Sequence, residues 1–294
     1  MPVRLALEAM ATRFEVVLDG GEPRRLQAAG EQALDRIREE EERLSAFRRD
    51  SLVARLNRAA GGPPVAVDGE FLELLQLCRR LHRETGGAFD PTVGGRMQEL
   101  GHHPGGGCSP ARWGFGEVEI DTRAGRVRLP ESMRLDLGGI GKGWALDLAR
   151  GELQRLGVTS ALLHGGASTV AALGVEPYEE GWAVAIRDRR YPVDPGTGPR
   201  LAARRLLRNQ ALSVSAPDGR KAGAAGHVVD PRTGEPAAGT ALAAAVCPSA
   251  AAADAWSTAL LVLGKVPEEA PLDWALLLPP LPESERVDEA EAPR

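Results

Sequence analysis

Residues 136–157 have the sequence DLGGIGKGWALDLARGELQRLG, which passes from a strand end through a glycine turn into a helix that Gly157 ends. Glycines between a strand and a helix let the backbone come close to a bulky ligand. The N-terminus of the helix offers unpaired N–H groups, and Lys142 adds a cation, so phosphate is the natural ligand. The spacing matches neither the dinucleotide-binding pattern nor the P-loop. The alternative is a tight turn with a solvent-exposed lysine, and this segment alone leaves both open.

The elements on either side of this turn predict an α+β fold. Helices and short strands follow one another without the strict βαβ alternation of a doubly wound sheet. Residues 85–95 and 101–112 are rich in Gly and Pro and are predicted to be loops. The predicted helices are 23–44, a short one capped by Asp50 or Ser51, 69–84, one from 141, and Asp254–Leu263. The predicted strands are 3–8, 13–18, 117–121, 126–129, 134–137, 160–164, 169–173, 182–187, 211–215, 226–229, 241–246 and 274–278.

The composition is that of a globular protein with a sizeable core. The chain has 294 residues, of which 43% are hydrophobic. Its net charge is −5 and only 4% of its residues are aromatic, so no nucleic-acid surface is expected. Cys78, Cys108 and Cys247 lie far apart without metal-ligand spacing, which favours a reduced, intracellular chain over a zinc site or a disulfide framework.

The two ends of the chain carry predictions about location and domain extent. The start, MPVRLALEAMATRFEV, lacks the charged head and apolar block of a secretion signal, and no window approaches ~20 apolar residues. We therefore expect a cytoplasmic protein, or a cell-envelope protein if an export signal is missing from this sequence. One domain is predicted over residues 1–278, followed by a disordered polar tail over 279–294.

A carboxylate and a hydroxyl share one helix face in AADAWSTALLVLG, residues 252–264. Asp254 and Thr258 are four residues apart at the predicted helix start. Hard oxygen ligands of this kind suit Mg²⁺. The alternative is that Asp254 is only the helix N-cap, which is the commoner role for such a residue.

Two loops that contain Gly and Pro hold the remaining candidate functional residues. In TGGAFDPTVGG (85–95), Asp90 starts a turn to which Thr92 can bond back, and the apolar Phe89 is expected to pack on the core or on a ligand. In GHVVDPRTGEP (226–236), His227 precedes a short strand and the rigid turn that Asp230 begins. His227 could accept a proton or orient a phosphate, or it could be a structural histidine in a hairpin. Asp230 is expected to shape the turn.

Taken in order, these motifs resemble those of the FAD:protein FMN transferases, the ApbE-type flavin transferase family. MATRFEV near Met10 and LSAFRRDSLVARLN (44–57) extend the resemblance, which runs to Gly264. It implies a single domain of mixed, largely antiparallel sheets with flanking helices and a flavin cleft between two halves. The flavin-binding residues that it implies are Met10, Phe47, Ala88, Phe89, Asp90, Asp136, Lys142 and His227. The Mg²⁺ ligands that it implies are the backbone carbonyl near Gly139 and the side chains of Asp254 and Thr258.

The resemblance implies transfer of FMN from FAD to a threonine or serine hydroxyl of an acceptor protein, forming a phosphoester and releasing AMP. The acceptor would be a redox-complex subunit or another flavoprotein. The pyrophosphate of FAD needs Mg²⁺, nearby backbone N–H groups and a cation, which agrees with the residues above. His227, or a nearby carboxylate, is the hypothesised base for the acceptor hydroxyl. The alternatives are an FAD pyrophosphatase, which yields FMN and AMP, and a flavin-binding protein without catalysis.

Two departures from the family pattern motivate the non-catalytic alternative. Ala167 stands in HGGAST where the family often has an acidic or amide residue. Ala251 stands three residues before Asp254, where some members have a further Asp. Both differences remove polar groups from the surroundings of the predicted metal.

Overall fold

The computed structural model describes residues 1–102, 110–217 and 228–282. His227 therefore lies outside the described residues, as does most of the predicted tail. The helices of the described ranges are α1 (Pro23–Leu44), α2 (Leu52–Arg58), α3 (Gly69–Glu84), α4 (Gly94–Glu99), α5 (Gly141–Arg155) and α6 (Ala250–Leu263). The strands of the same ranges are β1 (Val3–Ala9), β2 (Thr12–Asp19), β3 (Val65–Ala66), β4 (Glu119–Asp121), β5 (Arg126–Arg128), β6 (Ser160–Gly165), β7 (Thr169–Leu173), β8 (Trp182–Arg187), β9 (Leu201–Leu207), β10 (Ala211–Ser215), β11 (Val229–Asp230), β12 (Glu235–Pro236), β13 (Leu242–Cys247) and β14 (Trp274–Leu278).

A seven-stranded sheet organises the molecule. Its strand order is β1-β2-β6-β7-β10-β13-β14, and every neighbouring pair is antiparallel. Smaller antiparallel sheets are formed by β3-β5-β4, by β8-β9 and by β11-β12. The predicted α+β class with largely antiparallel sheets is confirmed. None of the helices in the described ranges has the length and apolar content needed to cross a membrane.

The middle strands β6, β7 and β13 are buried on both faces of the central sheet, and their successive side chains point to opposite sides. Leu163 on β6 faces the core shared with α1, α5 and α6. Its neighbour Leu162 faces a second core, which Trp182, Ile186 and Leu207 of the β8–β9 hairpin complete. The site described below lies on the side of the sheet that carries the helices.

The first helix is amphipathic as predicted, and it ties the N-terminal half to α5. Its apolar period predicts one buried side, and the residues of that side are all buried, namely Leu26, Ala29, Ala33 and Ile37. Glu40 is fully buried on the same side and accepts hydrogen bonds from Trp144 Nε1 at 3.1 Å and from Arg36 at 3.0 Å. Burial raises the pKa of Glu40, and the nearby Arg43 and Arg36 oppose that rise.

The structure differs from the predicted elements in two boundaries and two whole strands described below. Helix α6 begins at Ala250, four residues before the predicted start, and Ser249 is its N-cap, so Asp254 is not a cap. Residues 134–137 lie in the described part of the chain and were predicted to be a strand, but they form none. Arg134 makes an isolated bridge to Val93. Strand β9 falls where none was predicted, and the predicted loop over 85–95 already enters α4 at residue 94.

Candidate functional site

The glycine turn before α5 folds its lysine back over the site. Asp136 Oδ1 accepts a hydrogen bond from Gly138 N at 2.7 Å, and Gly141 N donates to Leu137 O at 2.7 Å. The ammonium of Lys142 lies 3.4 Å from Gly138 O, and the side chain of Lys142 is only 15% exposed. The alternative of a solvent-exposed lysine is therefore wrong, and the cation is held beside the N-terminus of α5.

Helices α5 and α6 are in backbone contact at Gly143. A Cβ built on Gly143 would lie 2.2 Å from Ala250 O, so only glycine fits at this crossing. The close approach brings Asp254 of α6 to the start of α5. Its Oδ2 accepts from Gly143 N at 3.2 Å and from Lys142 Nζ at 3.4 Å. The positive end of the α5 dipole and the ammonium both lie against this carboxylate.

Hydroxyl groups surround the other oxygen of the same carboxylate. Asp254 is 3% exposed, and its Oδ1 accepts from Ser213 Oγ at 3.1 Å and from Thr169 Oγ1 at 3.4 Å. These contacts are longer than the roughly 2.5–2.7 Å typical of hydrogen bonds from a hydroxyl to a carboxylate. A carboxylate has about four lone-pair sites, and four donors already face Asp254, all at 3.1 Å or more. A bound cation would take the place of one or more of these long contacts.

The other two residues of the predicted metal site lie close to each other, and one of them bonds to the backbone of Asp254. Thr258 Oγ1 donates to Asp254 O at 3.1 Å and lies 3.4 Å from Ser215 Oγ. A Cβ built on Gly139 would be 3.5 Å from Thr258 Oγ1 and 3.6 Å from Phe89 Cε2. The structure thus brings together Gly139, Asp254, Thr258 and Phe89 of the 85–95 loop. Their ligand roles stay predictions.

The donor set at this place fits a hard cation. Carboxylate, hydroxyl and carbonyl oxygens are the ligands that Mg²⁺ accepts, usually together with waters or substrate phosphates. Within residues 1–102, 110–217 and 228–282, no three His, Cys, Asp or Glu side chains are grouped to hold a metal. A metal bound among these residues would thus combine Asp254 with hydroxyl and carbonyl oxygens.

The loop over residues 85–95 is fixed from within by Asp90. This carboxylate is 6% exposed and accepts from Thr92 N at 2.8 Å, from Thr92 Oγ1 at 2.5 Å and from Phe115 N at 3.0 Å. The predicted bond from Thr92 back to Asp90 is confirmed. His82 adds a contact that the sequence did not indicate, because its Nδ1 lies 3.0 Å from Phe89 O and 3.5 Å from Asp90 Oδ2.

The remaining predicted flavin residues differ in exposure. Phe47 is 63% exposed and lines a groove of about 150 Å³ with Arg134 and Leu135. Ala88 is buried. Met10 lies in the tight β1–β2 turn with a left-handed φ of 50°, and its N–H donates to Glu41 Oε1 at 2.6 Å. A methionine in this backbone region is strained and needs such support.

The turn at 230–234 is clamped by its neighbours. Asp230 accepts from Arg232 Nε at 2.9 Å and Nη2 at 2.7 Å, and these hydrogen bonds lower the pKa of Asp230. Trp113 Nε1 donates to Pro231 O at 2.7 Å, and Arg96 Nε donates to Gly234 O at 2.6 Å. The expected turn-shaping role of Asp230 is confirmed, and the chain just after residue 227 is anchored.

A sequence model of the ApbE family matches residues 10–274. The chain belongs to the ApbE family. A FAD:protein FMN transferase from Rhodobacter capsulatus is 32% identical over 230 residues, which cover 71% of this chain and 42% of that relative's length. Another from Klebsiella pneumoniae is 26% identical over 285 residues, covering 90% of this chain and 78% of the relative. The crystal structure of the ApbE protein from Thermotoga maritima has a TM-score of 0.81 at 24% identity, covering 95% and 94% of the two chains, and confirms the fold.

Several residues of this ApbE-family site were missed in the sequence. Thr169 and Ser213 are fully buried in strands and bond to Asp254. A hydroxyl within an otherwise apolar strand, as in ASTVAAL and ALSVS, is the signal that could have indicated them. Asp147, Trp113 and His82 belong to no local motif, since their partners come from distant parts of the chain.

Proposed function

We propose that this chain catalyses Mg²⁺-dependent transfer of FMN from FAD to a threonine or serine hydroxyl of an acceptor protein, with release of AMP. The observation that carries the proposal is the convergence of Asp254, Thr258, Gly139 and Lys142 at the start of α5. The name FAD:protein FMN transferase, which several curated relatives bear, supports it.

The protein groups at this place have the properties that the pyrophosphate of FAD requires. The ammonium of Lys142, held beside the N-terminus of α5, would bind its phosphate oxygens. The exposed ring of Phe47 and the adjacent groove offer an aromatic contact for the isoalloxazine. Asp254, Thr258 and the carbonyl of Gly139 would hold Mg²⁺. The bound cation would supply neutralisation of the charge on the pyrophosphate.

The proposed reaction balances as a phosphoryl-group exchange. The acceptor hydroxyl oxygen forms a bond to the phosphorus of the FMN half, while the bond from that phosphorus to the bridging oxygen breaks. The electron pair of the broken bond leaves with AMP. The hydroxyl proton must be removed, and we propose His227 as the group that accepts it. The resemblance of HVVDPRTGEP to the corresponding segment of the family supports this assignment.

A product assay tests the proposal. The purified chain is incubated with FAD and Mg²⁺, with and without a peptide containing an Asp-x-x-x-x-Thr segment, and AMP, free FMN and peptide mass are measured. We expect FMN on the peptide and equal amounts of AMP. Labelling should be lost with EDTA and in Asp254→Asn, and kept in Asp273→Asn, which alters an exposed carboxylate bonded to Gln210.

The other outcomes identify the alternatives. FMN and AMP without a labelled peptide would indicate the FAD pyrophosphatase. FAD that is bound but returned intact, with binding insensitive to Mg²⁺, would indicate a flavin-binding protein without catalysis. The base is tested separately with His227→Ala. We expect that variant to bind FAD and to lose transfer by about 10²–10⁴-fold, and full transfer would remove the assigned role.

A further inference from the structure

A carboxylate of helix α5 accepts hydrogen bonds from the first backbone amides of helix α6. Asp147, in the second turn of α5, accepts hydrogen bonds from Ala250 N at 2.9 Å through Oδ1 and from Ala251 N at 2.9 Å through Oδ2. Its Oδ2 also accepts from Ser249 Oγ at 2.7 Å. The first amides of a helix have no partner within that helix, so a carboxylate from a neighbouring element can satisfy them.

The contact is reciprocal. Asp254 of α6 accepts from Gly143 N at the start of α5, while Asp147 of α5 accepts from the start of α6. Gly143 and Asp147 are four residues apart, as are Ala250 and Asp254, so each pair shares one face of its helix. Each helix therefore presents a carboxylate to the N-terminal amides of the other, across the backbone contact at Gly143.

The two halves of this reciprocal contact differ in length. The hydrogen bonds of Asp147 to α6 are 2.7–2.9 Å long, which is the range of charge-assisted bonds. Those that Asp254 accepts from α5 are 3.2–3.4 Å long. Asp147 thus supplies the tighter link between the helices.

We infer that Asp147 is a positioning residue that holds Asp254 and Thr258 in place for a divalent cation. The cation part of this inference rests on the proposed function. Groups that orient metal ligands from outside commonly change metal affinity by about 10–100-fold when they are altered. Asp147 would act in this way through the start of α6, without touching the cation.

The test uses Asp147→Asn, in which the shape is kept but an NH₂ group faces one of the two helix amides. The first measurement is the hydrogen-exchange rate of the Gly143 amide, monitored by NMR in the full chain without FAD or metal. We expect exchange about 10-fold faster than in the wild-type protein, because α6 and its Asp254 are less firmly held. The matched control is Asp68→Asn, which alters the carboxylate N-cap of α3 and its bond from Phe71 N.

The second measurement is the affinity for Mn²⁺ without FAD, monitored by electron paramagnetic resonance. We expect Asp147→Asn to bind about 10-fold more weakly, at the same stoichiometry as the wild type, and Asp68→Asn to bind normally. Unchanged Gly143 exchange in Asp147→Asn would overturn the positioning role. A wild-type chain that binds no Mn²⁺ would overturn the cation site and its proposed function, while the exchange result would still decide whether Asp147 positions α6.

Discussion

At the scale of single residues, the geometry of the site depends on a glycine, Gly143, that has no side chain. Gly143 lets α5 and α6 touch through their backbones, and its own N–H reaches Asp254 Oδ2. A Cβ at this position would meet Ala250 O, Ala250 C and the Cα of Ala251, all within 2.7 Å. These are backbone atoms and cannot rotate away, so the helices themselves would have to separate.

Gly143→Ala should therefore destabilise the protein and weaken its response to Mg²⁺. Forcing an extra methyl group into a packed contact costs about 1–3 kcal/mol and sometimes more. Gly151→Ala is the matched control, because Gly151 lies on the same helix with nothing within 4 Å of its added Cβ. There the better helix propensity of alanine should add about 0.5–1 kcal/mol. Urea unfolding of both variants measures the difference, and equal stabilities would contradict the close contact.

At the scale of elements, the β8–β9 hairpin is closed by a buried ion pair. Asp188 is 3% exposed and receives hydrogen bonds from Arg190 Nε at 2.9 Å and Nη2 at 2.8 Å. Arg190 also donates to Pro279 O at 3.1 Å, which links the hairpin to the chain after β14. These hydrogen bonds lower the pKa of Asp188 below its ordinary value of 3.8.

The sign of the pH effect follows from that lowered pKa. The stabilisation from Asp188 is complete above pH 3.8 and is lost as the pH falls through the lowered value. Asp188→Asn should cost about 1–3 kcal/mol at pH 7, because it leaves Arg190 without its charged partner. Below pH 4 the wild-type unfolding free energy should fall more steeply than that of the variant.

Urea titrations between pH 7 and pH 2 measure both effects. Glu180→Gln removes an exposed carboxylate just before the same hairpin and is the control. It should keep the wild-type stability at pH 7 and the wild-type slope. Parallel pH profiles for the wild type and Asp188→Asn would show that the ion pair contributes no pH-dependent stability.

Element boundaries show what a sequence can and cannot predict. Helix α1 was predicted with both ends from its apolar period, and the structure shows Glu22 as its N-cap and Pro23 as its first residue. Strand β9, with the sequence LAARRLL, has the composition of a helix and becomes a strand only because β8 pairs with it. The start of α6 was placed late because the helix was predicted to open at Asp254, whereas Ser249 caps it and Asp147 of α5 satisfies its first amides.

At the scale of the whole molecule, the order of the strands in the sheet could not be predicted from the sequence pattern. Strand β2 pairs with β6, with more than a hundred residues between them, and local periodicity carries no information on such pairing. The site shows the same division. The motifs around Asp136, Asp90 and Asp254 were recognised, whereas Thr169 and Ser213 reach Asp254 only through the sheet order.

Because the site joins residues from α5, α6, β7 and β10, ligand binding should stabilise the whole fold. A ligand at about 100 times its dissociation constant adds about 2.7 kcal/mol to the unfolding free energy. For a chain of this size, that corresponds to a rise in Tm of roughly 5–10 °C. We expect FAD and Mg²⁺ together to give a larger rise than the sum of their separate effects, since each neutralises the other's charge.

Thermal scans of the wild type, Asp254→Asn and Asp273→Asn decide whether that coupling runs through the proposed site. The excess rise should vanish in Asp254→Asn, because the carboxylate that would hold the cation is gone. It should persist in Asp273→Asn, whose exposed side chain bonds only to Gln210 among the contacts described for it. An equal excess in both variants would place the cation away from the α5–α6 contact, even if the chain binds FAD.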